Sequence, residues 1–466
     1  QRQMCIRDRC NKELIMEKSH FYEFVNRMIL PLFTGSYVAG ETESSSRDLE
    51  VALGKGNSVL LKPNKSDEYR LILKRGQPFK SFEVNLIKTI LEEISLLTEA
   101  GLENTVYLQK LQNTIIEKAL IDSITSDIAS ETIIGIISSL DRWATRTYEG
   151  ANVSMGIFVN LSNIVDDSKQ VNYSNIMNSD FFVRITDGIS SFVEFDRKGN
   201  LIGYSNLKNV KTAPTISPYI FDRVARSCND KRVGIVLTVR GDILIFYARQ
   251  LMFAKRNGKW CVYSHDEIIR LLYNNVSYTA KQIRRAIYNT ALDCSFGYMG
   301  ACIIYLNKDK TTEALKLINI ADIISETHFE EKKQMELAEA SKLYNMSNTL
   351  QFDENTTFEE YLTKFNCVKA KSIRNIIAGK KLYELDRKLL ENLVGIDGAT
   401  VVDFDGTIIA VGAILKIEAG SLGGGRLAAT KSMARYGVGI KVSQDGIMQG
   451  FSADKHGKVK LIFDVG

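Results

Sequence analysis

Apolar positions follow two different spacings along the chain, and each predicts a different kind of element. Apolar residues three and four positions apart run from Val106 to Leu140 and predict one or two packed helices. The same spacing predicts helices over Glu17–Leu32 and Phe82–Thr98. Polar and apolar positions alternate around Phe181 to Tyr204, which is typical of short strands joined by tight turns.

The first part of the chain is predicted to form an N-terminal α/β sensor-like module with a helical connector, over residues 11–140. A polar Gly/Ser-rich stretch is expected over Gly35–Arg47, followed by strands at Ser58–Lys62 and Tyr69–Lys74. Strands followed by P-F-K-S-F-E and an amphipathic helix are similar to the end of a GAF-type sensor domain. A generic α/β module fits the same pattern.

Residues 141–275 are predicted to form a β-rich middle module. Gly234–Val239 and Ile243–Tyr247 are expected strands, and the basic segment Arg249–Trp260 is expected to form a hairpin with Asn257-Gly258 at its tip. Basic and aromatic residues in a hairpin could contact nucleic acid. A solvated hairpin with Trp260 folded into the core is the favoured interpretation, so nucleic acid is not an expected partner.

The C-terminal part, residues 276–466, is predicted to form a mixed β-sheet with flanking helices. A helix from Ile283 leads into a buried strand at Ala301–Leu306, and a helical insertion is expected over about 309–389. Within it, the charged run His328–Lys342 is expected to be a solvated helix face. Four further strands and one helix are then predicted at Thr400–Asp403, Thr407–Leu415, Leu427–Tyr436 (the helix), Val438–Ser443 and near Val459–Phe463. The fold class is therefore α/β.

Composition narrows the function classes only slightly. The chain has 466 residues, 45% of them hydrophobic, and a net charge of +5, so several domains are expected and no polybasic surface follows from the totals. Seven cysteines show no C-x-x-C pair, which indicates reduced thiols and a cytoplasmic location. No stretch reaches the roughly 18 apolar residues that a membrane helix needs. Residues 1–10 (QRQMCIRDRC) resemble translated adapter sequence and are expected to be a non-native tail.

Two further clusters have candidate chemistry. The segment Trp143-Ala-Thr-Arg146-Thr-Tyr-Glu149 could bind a small polar ligand, although packing at an interdomain joint is the favoured interpretation. His265 and Asp266 are adjacent, and they are expected to be a helix cap and its neighbour and not a metal site.

A glycine-rich loop near the C-terminus has the composition of a phosphate site. Gly420-Ser-Leu-Gly-Gly-Gly425 precedes a predicted helix that begins at Arg426. Such a loop lets backbone N–H groups approach phosphate oxygens, and the helix N-terminus and Arg426 add positive charge. Asp397, followed by Gly398 and Ala399, would leave room for a ligand against the backbone and could hold a divalent metal. A flexible linker and plain hairpin turns explain the same residues.

Several segments in this order resemble the diadenylate cyclase domain of bacterial cyclic di-AMP synthases. Gly300-Ala-Cys-Ile-Ile-Tyr305 is similar to the family's G-A-L-I-V-I, and Asp397-Gly398-Ala399 matches its D-G-A motif. Ala410–Leu415 matches A-x-G-x-x-L, and Val442–Gly446 is similar to V-S-E-E-x-G. Gly423–Ala429 replaces G-T-R-H-R-A-A, so one cation, Arg426, stands where the family has R-H-R.

The resemblance implies an activity and a set of site residues. In the family, two domains face each other and condense two ATP molecules to cyclic di-AMP and pyrophosphate, with Mg²⁺ or Mn²⁺. By position, Asp397 would be the catalytic and metal-binding carboxylate. The implied nucleotide-binding residues are Gly398, Ala399, Leu415, Gly423, Gly424, Gly425, Arg426 and Ser443. The expected partners are ATP and a second copy of the chain, and the N-terminal modules would control the reaction. A catalytically inactive sensor of a nucleotide or cyclic dinucleotide is the alternative.

Overall fold

The computed structural model describes residues 18–45, 50–63, 68–99, 105–125, 127–162, 171–211, 213–273, 278–342, 352–417 and 424–466. Two compact units divide between Glu267 and Ile268. Each unit contains helices and a sheet with both parallel and antiparallel strand pairs, so the fold is mixed α/β, as the sequence predicted. Within the described residues, no helix is long and apolar enough to cross a membrane.

The described part of the N-terminal unit begins with helix α1, Lys18–Phe24, which continues as a π-helical and then a 3₁₀-helical turn to Leu32. A four-stranded antiparallel sheet follows in the order β1-β4-β3-β2. Its strands are β1 (Tyr37–Glu43), β2 (Val51–Leu53), β3 (Ser58–Leu61) and β4 (Tyr69–Lys74). Strand β1 lies within the polar Gly/Ser-rich stretch Gly35–Arg47, where no strand was predicted. That strand is largely exposed at the sheet edge, so pairing with β4, and not an apolar pattern, defines it.

Three long helices connect this sheet to the next one. They are α2 (Ser81–Glu99), α3 (Thr105–Asp122) and α4 (Asp127–Ala144), which confirms the helical prediction over this region. The amphipathic face of α4 places Ile133, Ile136 and Ile137 in the hydrophobic core. Trp143, near the end of α4, donates its indole N–H to Met177 O at 2.8 Å, so it has a packing role within this unit.

The second sheet has seven strands in the order β13-β12-β11-β10-β7-β8-β9, and only β7 and β8 run parallel. The strands, after the short pair β5 (Thr147–Tyr148) and β6 (Ala151–Asn152), are β7 (Met155–Asn160), β8 (Ser191–Asp196), β9 (Leu201–Asn206), β10 (Arg232–Leu237), β11 (Ile243–Tyr247), β12 (Gln250–Arg256) and β13 (Lys259–Val262). Short helices α5 (Tyr173–Ile176), α6 (Phe182–Ile185) and α7 (Asp222–Ser227) lie between them. The β-rich prediction is therefore confirmed.

The basic hairpin forms as predicted, with β12 and β13 joined through Asn257 and Gly258, both at positive φ. Trp260 is buried, and its indole N–H donates to Glu117 at 3.2 Å. Lys255 pairs with Glu117 at 3.0 Å and with Asp141 at 2.6 Å, so one of the basic groups is neutralised within the fold. His265 begins helix α8 (His265–Leu271), and its ring lies 2.7 Å from Leu251 O.

The C-terminal unit is built on a six-stranded sheet in the order β16-β15-β14-β17-β18-β19. Its strands are β14 (Ala301–Leu306), β15 (Ala399–Val402), β16 (Ile408–Ala413), β17 (Gly437–Val442), β18 (Met448–Ala453) and β19 (Val459–Val465). The helices are α9 (Tyr278–Phe296), α10 (Thr311–Leu315), α11 (Glu326–Lys342), α12 (Phe358–Lys364), α13 (Val368–Ile377), α14 (Arg387–Val394) and α15 (Gly425–Met433). Strand β18 was not predicted, because M-Q-G-F-S-A lacks a clear alternating pattern.

The run His328–Lys342 is not the uniformly solvated helix face that the sequence predicted. Ion pairs do link Lys332 to Glu336 and Lys333 to Glu330 along α11. Both lysines are nevertheless buried, as is His328. Lys333 donates to two backbone carbonyls, at Glu354 and Thr356, and Lys332 donates to Lys316 O. The charged run therefore anchors neighbouring segments, because buried ammonium groups need acceptors.

Candidate functional site

The segments that resemble the cyclase domain meet at one edge of the six-stranded sheet. Strands β14 and β15 run parallel with Ile303 opposite Thr400, and β17 runs antiparallel to β14 with Val442 opposite Ala301. The start of β14, the start of β15 and the end of β17 therefore lie at the same edge. We call this the site edge. Gly300 directly precedes β14, Asp397 lies two residues before β15, and Ser443 directly follows β17.

Asp397 and Arg426 are in contact at the site edge. The Asp397 side chain is 90% exposed, and Arg426 Nη2 lies 3.1 Å from its Oδ1. Arg426 belongs to the first turn of α15, so its guanidinium and the N-terminus of that helix present positive charge at the same place. The predicted carboxylate and the predicted cation are thus brought together by the fold.

Gly300 provides the space that Arg426 occupies. A Cβ atom at Gly300 would lie 2.6 Å from Arg426 Nη1 and 3.4 Å from Gln444 Cγ. Any side chain at this position would displace the guanidinium from its present position. Glycine at the start of β14 is therefore a requirement of the Arg426 position.

The structure explains why residue 398 is a glycine, which the sequence did not indicate. Its φ of +110° and the close approach of Gly412, whose carbonyl carbon would lie 2.4 Å from a Gly398 Cβ, both require glycine. Gly412 also has a positive φ, and a Cβ there would lie 2.9 Å from Asp397 O. The room beside Gly398 that was expected to admit a ligand is therefore occupied by the end of β16.

The described part of the glycine loop is open. Gly424, with a φ of +87°, precedes α15, and Gly425 is its first residue. A Cβ at either glycine would meet nothing within 4 Å. The first N–H groups of a helix have no intrahelical acceptor, and a helix N-terminus of this kind is suited to an anion. Gly423 lies outside the described residues.

The remaining predicted residues differ in accessibility. Ala399 is buried in β15, and Leu415 is only 8% exposed and bridges to Ile318. Its neighbour Ile414 is 68% exposed, so the accessible aliphatic side chain just after β16 is Ile414 and not Leu415. The Ser443 hydroxyl lies 3.1 Å from Ile447 O, and a hydrogen bond from Ser443 lowers the pKa of Asp445.

The residues at the site edge suit a divalent ion that is shared with a substrate. Mg²⁺ is commonly held by one or two carboxylates, with water and substrate phosphates completing its coordination. The exposed carboxylate of Asp397, beside an open helix N-terminus, fits such an incomplete ligand set. Across the described ranges, no group of three or more His, Cys, Asp or Glu side chains could hold a metal by itself.

Sequence reasoning missed two residues of the helical insertion that reach the site edge. Lys369 Nζ donates to Gly412 O at 2.8 Å and pairs with Asp322 Oδ1 at 2.6 Å. Asp322 Oδ2 accepts the amide of Ile414 at 3.3 Å. No local pattern indicates these contacts, because 43 positions separate Lys369 from Gly412 and 92 separate Asp322 from Ile414.

A second arrangement that the sequence did not reveal lies beyond the opposite end of β15. His328 Nδ1 lies 2.7 Å from Ser325 Oγ, and its Nε2 lies 3.1 Å from Asp403 Oδ2. Asp403 Oδ1 accepts from Thr311 Oγ1 at 2.7 Å and from Phe404 N at 2.8 Å. Ser325 directly precedes α11, so these bonds tie the start of that helix to the sheet.

Comparison with protein-family models gives no match for this chain, and comparison with curated proteins gives none either.

Proposed function

We propose that the C-terminal unit binds ATP and condenses two ATP molecules into cyclic di-AMP and two pyrophosphates. The contact of Arg426 with Asp397, over the space left by Gly300, is the observation that carries the proposal. It joins three segments that resemble the diadenylate cyclase domain and that lie far apart in the sequence. Five buried or half-buried free cysteines of the described chain support a reducing, cytoplasmic setting.

In this proposal, Arg426 and the N-terminus of α15 bind the triphosphate and neutralise its charge. Asp397 takes the proton of a ribose 3′-hydroxyl as the oxygen attacks the α-phosphorus of the second ATP. A 3′-oxygen–phosphorus bond forms, the bond from the α-phosphorus to the bridging oxygen breaks, and pyrophosphate leaves with the electron pair. A Mg²⁺ or Mn²⁺ at Asp397 supplies further charge neutralisation when bound.

Two copies of the unit, each with one ATP, face each other in the proposed reaction. The second attack runs in the opposite direction and closes the ring. The exposure of Asp397 supports this arrangement, since its carboxylate is accessible to a hydroxyl held by another molecule. Phosphoryl transfer depends mainly on positioning and charge, so a short set of residues is sufficient in principle.

A nucleotide sensor without catalytic activity is the second candidate, and one observation favours it. Arg426 contacts the same carboxylate that the reaction needs as a base. A guanidinium that stays on Asp397 Oδ1 would occupy the oxygen that a ribose hydroxyl has to reach. The two candidates therefore differ in whether a bound triphosphate draws Arg426 away from Asp397.

Incubation of the full chain with ATP and Mn²⁺, followed by mass spectrometry for cyclic di-AMP, tests the proposal. Product from the wild type that is lost in Asp397→Asn supports the cyclase. Saturable ATP binding without product, weakened by Arg426→Ala, supports the sensor. Arg435→Ala is the control for loss of a cation, because Arg435 lies two residues past the end of α15. If the protein neither binds ATP nor forms product, both candidates are rejected.

A further inference from the structure

The helical insertion covers strand β16, the strand at one side of the six-stranded sheet, and this strand ends at the site edge. Residues 317–324 lie along the outer side of β16, where Ile323 bridges to Ala410 and Ile324 N donates to Ile409 O at 2.8 Å. Further along, Lys416 N donates to Leu317 O at 2.8 Å. The insertion thus protects an edge strand that would otherwise present unpaired backbone groups.

At the end of this covered strand, Lys369 and Asp322 hold the backbone of residues 412–414. Lys369, in the first turn of α13, donates to Gly412 O, and Asp322 accepts the Ile414 amide. The ion pair between Lys369 and Asp322 joins the two contacts. The Asp322 side chain is only 14% exposed, and its two oxygens accept from Lys369 Nζ and from the Ile414 amide, so two donors hold the carboxylate in place.

The backbone of residues 412–414 is in direct contact with the backbone of Asp397 and Gly398. A Cβ at Gly398 would lie 2.6 Å from Gly412 O, which is the same oxygen that accepts from Lys369. A Cβ at Gly412 would lie 2.9 Å from Asp397 O. A shift of Gly412 is therefore transmitted to Asp397, because no space separates the two segments.

From this series of contacts we infer that Lys369 and Asp322 are positioning residues that fix the Asp397 carboxylate at the site edge. Neither residue touches the reacting groups. They act through Gly412, and so the helical insertion determines the geometry in which Asp397 meets Arg426 and a nucleotide. The consequence for ATP rests on the proposed function, whereas the consequence for the backbone does not.

Lys369→Met tests the inference because it keeps most of the side-chain volume and removes the charge. Two quantities are measured on the full chain: hydrogen exchange of peptides that cover residues 395–399 and 408–417, and the dissociation constant for ATP with Mn²⁺. We expect exchange in both peptides to become at least threefold faster and ATP affinity to fall about tenfold. Lys369→Arg should restore both, since it can still donate to Gly412 O and pair with Asp322.

Lys371→Met is the matched control, because Lys371 is an exposed residue on the same helix. It should leave exchange and affinity unchanged. Exchange in the two peptides that is the same in Lys369→Met as in the wild type would overturn the inference, whatever the protein binds. If the wild type binds no ATP but exchange rises in Lys369→Met, the proposed function fails while the positioning role is supported.

Discussion

His328 Nε2 lies 3.1 Å from Asp403 Oδ2, although the two residues are 75 positions apart in the chain. Both side chains are buried. Asp403 also accepts from Thr311 and from the Phe404 amide, so both carboxylate oxygens have hydrogen-bond partners within the protein. The His328 ring therefore lies between the Asp403 carboxylate at Nε2 and the Ser325 hydroxyl, which is 2.7 Å from Nδ1.

Replacement of His328 by Ala should destabilise the C-terminal unit by about 3 kcal/mol, because a buried carboxylate loses a donor and a cavity forms. Both tryptophans, Trp143 and Trp260, precede residue 268, so circular dichroism in urea is the suitable measurement. His456→Ala, at an exposed turn, should change the unfolding free energy by less than about 0.5 kcal/mol. Equal stability of the two variants would show that the His328 contact contributes little.

Helices and strands were predicted correctly where the pattern of apolar and polar residues determines them. The fully apolar run at Ala301–Leu306 is a buried strand with helices and strands around it, as expected. Strand β18 was missed because its central Gly450, which leaves space for the Phe463 ring, breaks the apolar alternation. Strand β1 was missed because a mostly exposed edge strand has no hydrophobic signature.

The candidate site could be predicted only in part. Motif order indicated that Asp397 and Arg426 belong together, and the register of β14, β15 and β17 places their segments at one edge. The roles of Lys369 and Asp322 could not be predicted, because side-chain contacts across many tens of residues depend on tertiary packing. A single sequence contains no local signal for such pairs.

Gly398→Ala should destabilise the C-terminal unit by more than about 3 kcal/mol, because it combines a left-handed φ with a backbone clash. The clash is with Gly412, whose atoms cannot move without moving β16. Gly425→Ala is the control, since its φ is not positive and a Cβ there meets nothing within 4 Å. Urea unfolding of the two variants measures the difference, and a Gly398→Ala protein as stable as Gly425→Ala would contradict the packing described here.

Gly300→Ala should separate folding from binding at the site edge. The nearest atom to the new methyl group is the end of the flexible Arg426 side chain, so the unfolding free energy should change by less than about 1 kcal/mol. Arg426 would have to leave its position beside Asp397. If the proposed function is correct, the affinity for ATP should fall about as much as in Arg426→Ala. Unchanged ATP binding in Gly300→Ala, measured by titration calorimetry, would exclude Arg426 from its assigned role.

In the N-terminal unit, Arg75 and Glu83 form a buried ion pair that should be essential to its stability. Glu83 also accepts from Ser264 at 3.0 Å and from the Lys80 amide at 2.7 Å. Glu83→Gln leaves a buried guanidinium without a counter-charge and should cost about 3–5 kcal/mol, measured by tryptophan fluorescence in urea. Glu92→Gln, which removes an exposed pair with Lys88, should cost less than about 0.5 kcal/mol. Similar costs for both would contradict the assignment.

The buried thiol of Cys302 predicts a loss of stability at high pH. Burial raises the pKa of Cys302 from 9.0 to about 11, and a hydrogen bond with Thr430 partly opposes the shift. The folded state therefore holds its proton more tightly than the unfolded state, so the stabilisation is complete below pH 9 and is lost as the pH rises towards 11.

Between pH 8 and pH 10.5, Cys302 alone should account for a fall of about 2 kcal/mol in the unfolding free energy. Cys302→Ser keeps a hydroxyl near Thr430 Oγ1 but does not titrate in this range, so the variant should lose about 2 kcal/mol less than the wild type over the same interval. Urea unfolding of both proteins at the two pH values measures this difference, and the other alkaline groups cancel because they are common to both. Parallel losses in the two proteins would mean that the Cys302 thiolate is tolerated in the folded state, and would contradict the high cost of charge that the burial of Cys302 implies.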